Sequence, residues 1–455
     1  MTDAAMPPAA AAGPSRKPKK SLHVLDDNTR RRNGAERRFR ILGGCAVGTG
    51  VLALVVLLIS ILSAGLPSFQ QTFLKAEIYL DPAVLDPSGE RDPEAISKIL
   101  TFSYSPMIKG SLTALAEELE AQGAENLTPQ MLAEMVSGAA NAKLRDYVIA
   151  NPDEIGKTVE FEFLTNARID QYLKGKVTRE SAALDSRVDV AQLNAADELV
   201  ASGAMEKRFN WDFITAPDAS ENRPEAAGLG VALLGSLYMM LIVLCLALPI
   251  GVAASIYLEE FAKKNFWTDV IEVNISNLAA VPSIVFGILG LAIFINMMHL
   301  PNSAPIVGGL VLTLMTLPTI IIATRASLKA VPPSIRDAAL GVGASKMQAV
   351  FHHVLPLAAP GILTGTILGL AQALGETAPL LLIGMVAFVR DYPDAPPGGL
   401  FEPATGLPVQ VYNFTQRADP AFVERASGAI IVLLVFLVIM NLVAIILRRR
   451  FERRW

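Results

Sequence analysis

Apolar residues are not spread along this chain. They gather into six runs of about twenty residues, nearly free of charge, at 41–65, 229–257, 271–298, 306–323, 357–388 and 427–447. Each run is long enough to cross a hydrocarbon core of about 30 Å as a helix. The first run is too long and too far from the start to be a cleaved signal peptide, and reads as an uncleaved anchor. Between the first two runs lies a polar stretch, 66–227, of a different kind. Helical patterns (SLTALAEELEAQ, AQLNAADELVAS) alternate there with one strand-like segment, TVEFEFLT. The expected fold is an all-α polytopic membrane protein of six transmembrane helices plus a mainly helical insert outside the membrane.

Charge changes this picture by giving it an orientation. Residues 1–40 hold ten Lys or Arg against four acids, and the chain ends in RRRFERRW. The insert carries 15 basic and 27 acidic residues, a net charge of 15 − 27 = −12. By the positive-inside rule both termini are expected in the cytoplasm, with 66–227, the turn near 300 and 389–425 outside. The loops at 258–267 and 324–356 then fall inside, with Lys263, Lys264, Arg325, Lys329, Arg336 and Lys346. The expected division is a disordered basic tail 1–40, a first span 41–65, an acidic periplasmic domain 66–227, and a five-helix core 228–455 with a loop at 325–356. Only Cys45 and Cys245 are present, both within apolar runs, which argues against a disulfide framework.

Two places in the core carry candidate chemistry. The first is the loop RASLKAVPPSIRDAALGVGASKMQAVFHHVLPLAAPGI, 325–362. It has the pattern of a short helix over 335–340, capped by Ser334 with Asp337 in its first turn, and ended by Gly343, a residue that tolerates the left-handed terminal position. A second helix, 345–354, then reaches Leu355-Pro356. The plain alternative is an elbow that only connects two spans. His352 and His353 have no Cys or acid at ligand spacing, so a metal site is not expected.

The second place is LGLAQALGETAPLLLI, 368–383. A carboxylate at bilayer depth costs about 2.5–3.5 kcal/mol on insertion scales, so Glu376 is expected to face the bundle interior or a wet path. Counting from Pro360 places it about 24 Å along the helix. Gln372 lies four residues earlier on the same face, Gly375 permits close approach, and Pro379 frees a carbonyl. This polar notch can serve a ligand, or it can be a structural ion pair or contact with another subunit. Pro282, in the third run, is expected to kink it.

The loop residues Asp337-Ala338-Ala339, Gly343 and Leu355-Pro356 match the spacing E-A-A-x3-G-x9-I-x-L-P, and so resemble the signature loop of ABC importer permeases. Asp337 stands where Glu is usual, and His353 where Ile is usual. The stretches LGETAPLLLIG (374–384), AAVPSIVFGILG (279–290) and KRFNWDFITAPDASENRPEAAGLG (207–230) resemble phosphate-importer permeases of the PstA type. The resemblance spans about 207–455, and 1–206 would be an N-terminal extension. It implies an inner-membrane subunit, itself no enzyme, that carries inorganic phosphate. It assigns Asp337, Ala338, Ala339, Gly343, Leu355 and Pro356 to coupling with an ATPase, and Glu376, Gln372 and Thr377 to the substrate path. Relatives usually carry Arg at the place of Gln372.

The implied partners are a second permease (PstC type), two ATP-binding subunits (PstB type), a periplasmic phosphate-binding protein (PstS type) and the bilayer, with no nucleic acid. The chain lacks a GxxxxGK[ST] phosphate loop, so no cofactor is expected on it and ATP would be used by the partner. Two other readings stay open: a permease for sulfate, molybdate or phosphonate, and a membrane sensor or scaffold.

Overall fold

A computed structural model describes residues 27–451, except 88, 122–126, 186 and 387, together with all their side chains but those of 27, 447 and 451. The chain divides into two compact units, with the boundary between Ser60 and Ile61. The first consists, among the described residues, of one helix that begins at Asp27 and ends in the second unit at Gly65. Residues 27–40, expected to be disordered, are therefore helical. Arg, Glu and Ala are strong helix formers, and the Arg40–Glu36 pair (3.0 Å) adds a four-residue link. Residues 1–26 and 452–455 lie outside the described residues.

The insert forms a small α+β domain. Its sheet has three antiparallel strands in the order β2-β1-β3: β1 Gln70–Tyr79, β2 Thr158–Leu164 and β3 Met205–Phe209. Phe73 faces Leu164 across one pairing and Glu206 across the other. On β1 the period of two puts Leu74, Ala76 and Ile78 into a core with Phe163, Leu144 and Leu193. The sequence pattern marked β2 alone. β1 and β3 carry Lys75, Glu77, Glu206, Lys207 and Arg208, which mask their alternation.

Among the described residues five single helices are long and apolar enough to cross a membrane, and a bent pair makes a sixth span if its two halves count as one. Phe266–Ala279 and Ser283–Met297 meet at 102°, so the third run is broken at Pro282 and not merely kinked. Pro282 takes extended angles (φ −57°, ψ 138°) that no helix continues through. The fourth span runs Pro305–Ala330, seven residues past the apolar run. Its charged end is neutralised: Arg325 reaches Glu272 at 2.7 Å and Glu259 at 3.5 Å. Close packing of the second, fourth and fifth spans relies on missing side chains. A Cβ on Gly309 would meet Ile242 at 2.6 Å, and one on Gly365 would meet Ala323 at 2.2 Å.

Buried charges fasten the insert to the start of the last span, Ala421–Phe451. Arg425 is 3% exposed and donates to the carbonyls of Pro224, Ser68 and Glu225 and to Gln71 Oε1, at 2.7–3.2 Å. Its guanidinium also lies 5.1 Å from the Phe213 ring centre. Glu424 accepts from Lys174 (2.9 Å) and Lys176 (2.7 Å), and Lys174 also pairs with Asp170 (2.6 Å). Asp170 in turn accepts from the Thr72 amide and hydroxyl on β1. A charge buried this deeply is tolerable only with its donors and acceptors filled, which fixes the geometry of the junction.

Candidate functional site

The elbow between the fourth and fifth spans is built from a nine-residue helix, Pro333–Gly341. It starts at Pro332, with no side-chain cap, so the expected Ser334 cap is not made. Pro333 is at its first position, where a missing N–H costs nothing. Its end explains the spacing of the motif. Gly343 sits at φ +88° and gives its N–H to the Leu340 carbonyl, while the Ala344 N–H reaches the Ala339 carbonyl. These two bonds form a Schellman close, in which the left-handed residue must come two positions past the last helical turn. Ala339 is buried beneath it. Asp337 and Ala338 are exposed.

The second half departs from expectation. The helix that starts after Ser345 does not stop at Leu355-Pro356. It runs on through a π-turn, Val350–Val354, into the fifth span, Leu355–Gly375. Pro356 offers no N–H to the residue four before it, and the wider turn accommodates that gap. Ser345 and Gln348 cap its start reciprocally. Leu355 packs on the apolar cluster beneath the elbow, which includes Ile256, Leu328, Val350 and Val354.

Arg336 anchors this elbow. It donates from Nε and Nη2 to Glu260 Oε1 (3.0 and 2.7 Å) and to the carbonyls of Val331 and Leu328 (2.8 Å each). Glu260 is buried in the π-turn that ends the second span. Lys346 sits 5.3 Å over the Phe261 ring of the same turn. The positive charges read from sequence as orientation signals are thus also braces. The tip they hold is apolar: Val342 is 86% exposed, with Leu340, Met347 and Phe351 exposed around it. Sequence reading missed these four. The available signal was a run of large apolar residues in a loop otherwise rich in charge.

The notch around Glu376 is a break and not a continuous helix. The fifth span ends at Gly375, Glu376 is extended (φ −80°, ψ 125°), and the helix resumes at Ala378–Leu382. Gln372 is exposed, and Glu376 and Thr377 are half-buried. No hydrogen bond or ion pair joins the Glu376 or Gln372 side chain to any described residue. Glu376 caps the end of that helix, its N–H going to the Ala373 carbonyl at 3.2 Å, so the chain turns away only after it. A Cβ on Gly375 would meet nothing within 4 Å, so it makes no close approach in this chain; Gly287 does, against Pro379 at 2.7 Å. An apolar cleft of about 300 Å³ lies between the second, fifth and last spans, lined by Met240, Leu370, Leu374 and Met440. None of the three notch residues lines it.

Five membrane-length helices with a bent pair among the described residues, a braced elbow with an exposed apolar tip and an unpartnered polar break in one span define a membrane-embedded permease. Residues 247–455 match the binding-protein-dependent transport system inner membrane component family, and residues 26–183 match a domain of unknown function, DUF3333. A probable ABC transporter permease protein of Bacillus subtilis, YqgI, is 32% identical over 52% of this chain and 82% of its own length. Phosphate transport system permease proteins PstA of Xylella fastidiosa and Yersinia pestis are 31% and 30% identical, over 48% and 49% of this chain and 74% and 73% of theirs. A methionine ABC transporter structure, inward-facing MetNI, aligns over 50% of this chain and 95% of its own, at 16% identity and a TM-score of 0.38. The chain belongs to the ABC importer permeases of the PstA type, with an N-terminal extension. That family is one of transport permease subunits.

Proposed function

We propose that this chain is one of the two gate-forming subunits through which inorganic phosphate enters the cell across the inner membrane. The observation that carries the cargo is the group of PstA relatives at about 30% identity over most of their length. Both termini and the elbow face the cytoplasm in this reading, and the insert faces outward. The elbow docks on an ATP-binding subunit: Val342 and Leu340 enter its groove, Ala338 allows close approach, and Gly343 holds the turn. Asp337, Ala339, Leu355 and Pro356 shape and seat that elbow. ATP is bound and hydrolysed by the partner, and this chain contributes the lever.

Glu376, Gln372 and Thr377 complete a path only when a second permease covers them, since Gln372 is exposed and neither its side chain nor that of Glu376 bonds to any described residue. An ionised Glu376 accepts a hydrogen bond from the proton that phosphate still carries near neutral pH, whereas sulfate offers none and is repelled. A soluble phosphate-binding protein delivers the ion from outside. The test is uptake of labelled phosphate and sulfate by the assembled transporter, with wild type, Glu376→Gln and Gly343→Val. Phosphate-selective uptake that Gly343→Val abolishes, and that loses selectivity in Glu376→Gln, is the expected result. Sulfate uptake by the wild type in preference to phosphate would refute the cargo assignment.

A further inference from the structure

Three segments distant in sequence enclose a second cleft, of about 710 Å³, where the insert meets the spans. The helix Ala140–Ala150 supplies Lys143 and Arg145, the linker before the second span supplies Arg223, and the loop that follows the Glu376 break supplies Arg390. The charges there do not cancel. Lys143 is taken by Asp212 at 2.8 Å, and Asp218 on the wall is held by both terminal nitrogens of Arg417. Three guanidinium groups keep unused donors. Arg145 gives Nη2 to the Ser97 carbonyl, and its Nε is buried with no partner. Arg223 uses Nε alone, toward Ser220 Oγ at 3.1 Å, and Arg390 pairs with no described residue. Against them stand two unpaired carboxylates, Asp146 and Asp391.

We propose that this cleft is an oxyanion-receiving site, which holds phosphate weakly between its delivery and its entry into the path. The inference rests on the phosphate reading and on the outward orientation of the insert given above. Guanidinium forks match the geometry of a tetrahedral oxyanion, two N–H groups to two oxygens. The cleft is wider than a bare phosphate, so the ion is held with part of its water. The two carboxylates keep affinity low, as a transfer site requires. Arg390 lies on the segment that follows Glu376 and the short helix Ala378–Leu382, so the cleft and the candidate path share one stretch of chain.

The test uses the purified full chain in lipid-free detergent, with 31P line broadening and calorimetry against inorganic phosphate, sulfate and chloride. Saturable phosphate binding is expected, weakened about ten-fold by Arg390→Gln and about a hundred-fold by Arg390→Gln with Arg223→Gln. Arg390 has no partner to lose, so the melting temperature of its variant should match wild type. Arg390→Glu serves as a second variant and should abolish binding. Unchanged affinity in both Arg390 variants, no saturable binding in wild type, or equal binding of chloride would each overturn the proposal. Uptake by the assembled transporter separates the two readings. A wild type that carries no phosphate removes the functional reading, whereas full uptake at limiting phosphate in the double variant removes only the cleft.

Discussion

Replacing Arg425 by Met tests how the insert is held. Met nearly preserves volume and apolar contact but withdraws every donor. Four acceptors are left behind: three carbonyls, of Ser68, Pro224 and Glu225, and Gln71 Oε1. An orphaned buried acceptor costs about 1–3 kcal/mol, and the loss of one member of a buried charge set costs about 3–5 kcal/mol. Taken as the loss of one member of a buried charge set, the change should cost about 3–5 kcal/mol at the junction. At about 1.4 kcal/mol per decade this amounts to a drop of 10²–10³-fold or more in amide protection. Hydrogen exchange on the detergent-solubilised protein reads it at the Thr72 amide, which Asp170 accepts, and at Asn210, whose N–H goes to Phe69. Amides deep in the fourth span serve as the control. Arg425→Lys, with three donors, should recover part of the loss. Exchange at Thr72 and Asn210 within about three-fold of wild type would refute the claim that this cation organises the junction.

Three further outcomes are expected. Val342→Glu puts a charge on the elbow's apolar tip without touching its Schellman close; co-purification with the ATP-binding subunit should fall at least ten-fold while the melting temperature holds. Arg336→Met should loosen the elbow by about 1.5–3 kcal/mol, since its bonds to Glu260 are charge-assisted, and limited proteolysis should then cut within 331–345. Glu225 is 6% exposed and accepts from Ser137 Oγ at 2.5 Å; burial pushes its pKa up from the ordinary 4.5. Its contribution is therefore complete below about pH 4.5 and is lost as pH rises through the elevated value. Melting curves taken from pH 4 upward should show the wild-type junction weakening, and Glu225→Gln should flatten that slope.

The spans were legible because twenty apolar residues in a row have few alternatives to a membrane helix. The elbow's closing glycine was legible too, since a left-handed position two residues past a helix selects Gly strongly. Other features depended on partners the chain order hides. Arg425 reads as an isolated cation at the foot of an apolar run; its acceptors lie 200 to 357 positions away. The helix was expected to run on through Glu376 to Pro379 and beyond, whereas it ends at Gly375 and resumes at Ala378. The break at Pro282 was marked, but its 102° angle is set by packing against the fourth span and against Ala378–Leu382, which no local signal encodes.

The half-crossing Phe266–Ala279 has no buried side chain anywhere along its fourteen residues. Its main neighbour in its own chain is the fourth span, which it also meets through the Glu272–Arg325 pair. Its pose is thus borrowed: lipid or another polypeptide must supply most of the contacts that keep it in place. When the molecule is made alone and extracted into detergent, this is the stretch whose order should decay first, and it should regain that order when its missing neighbour returns.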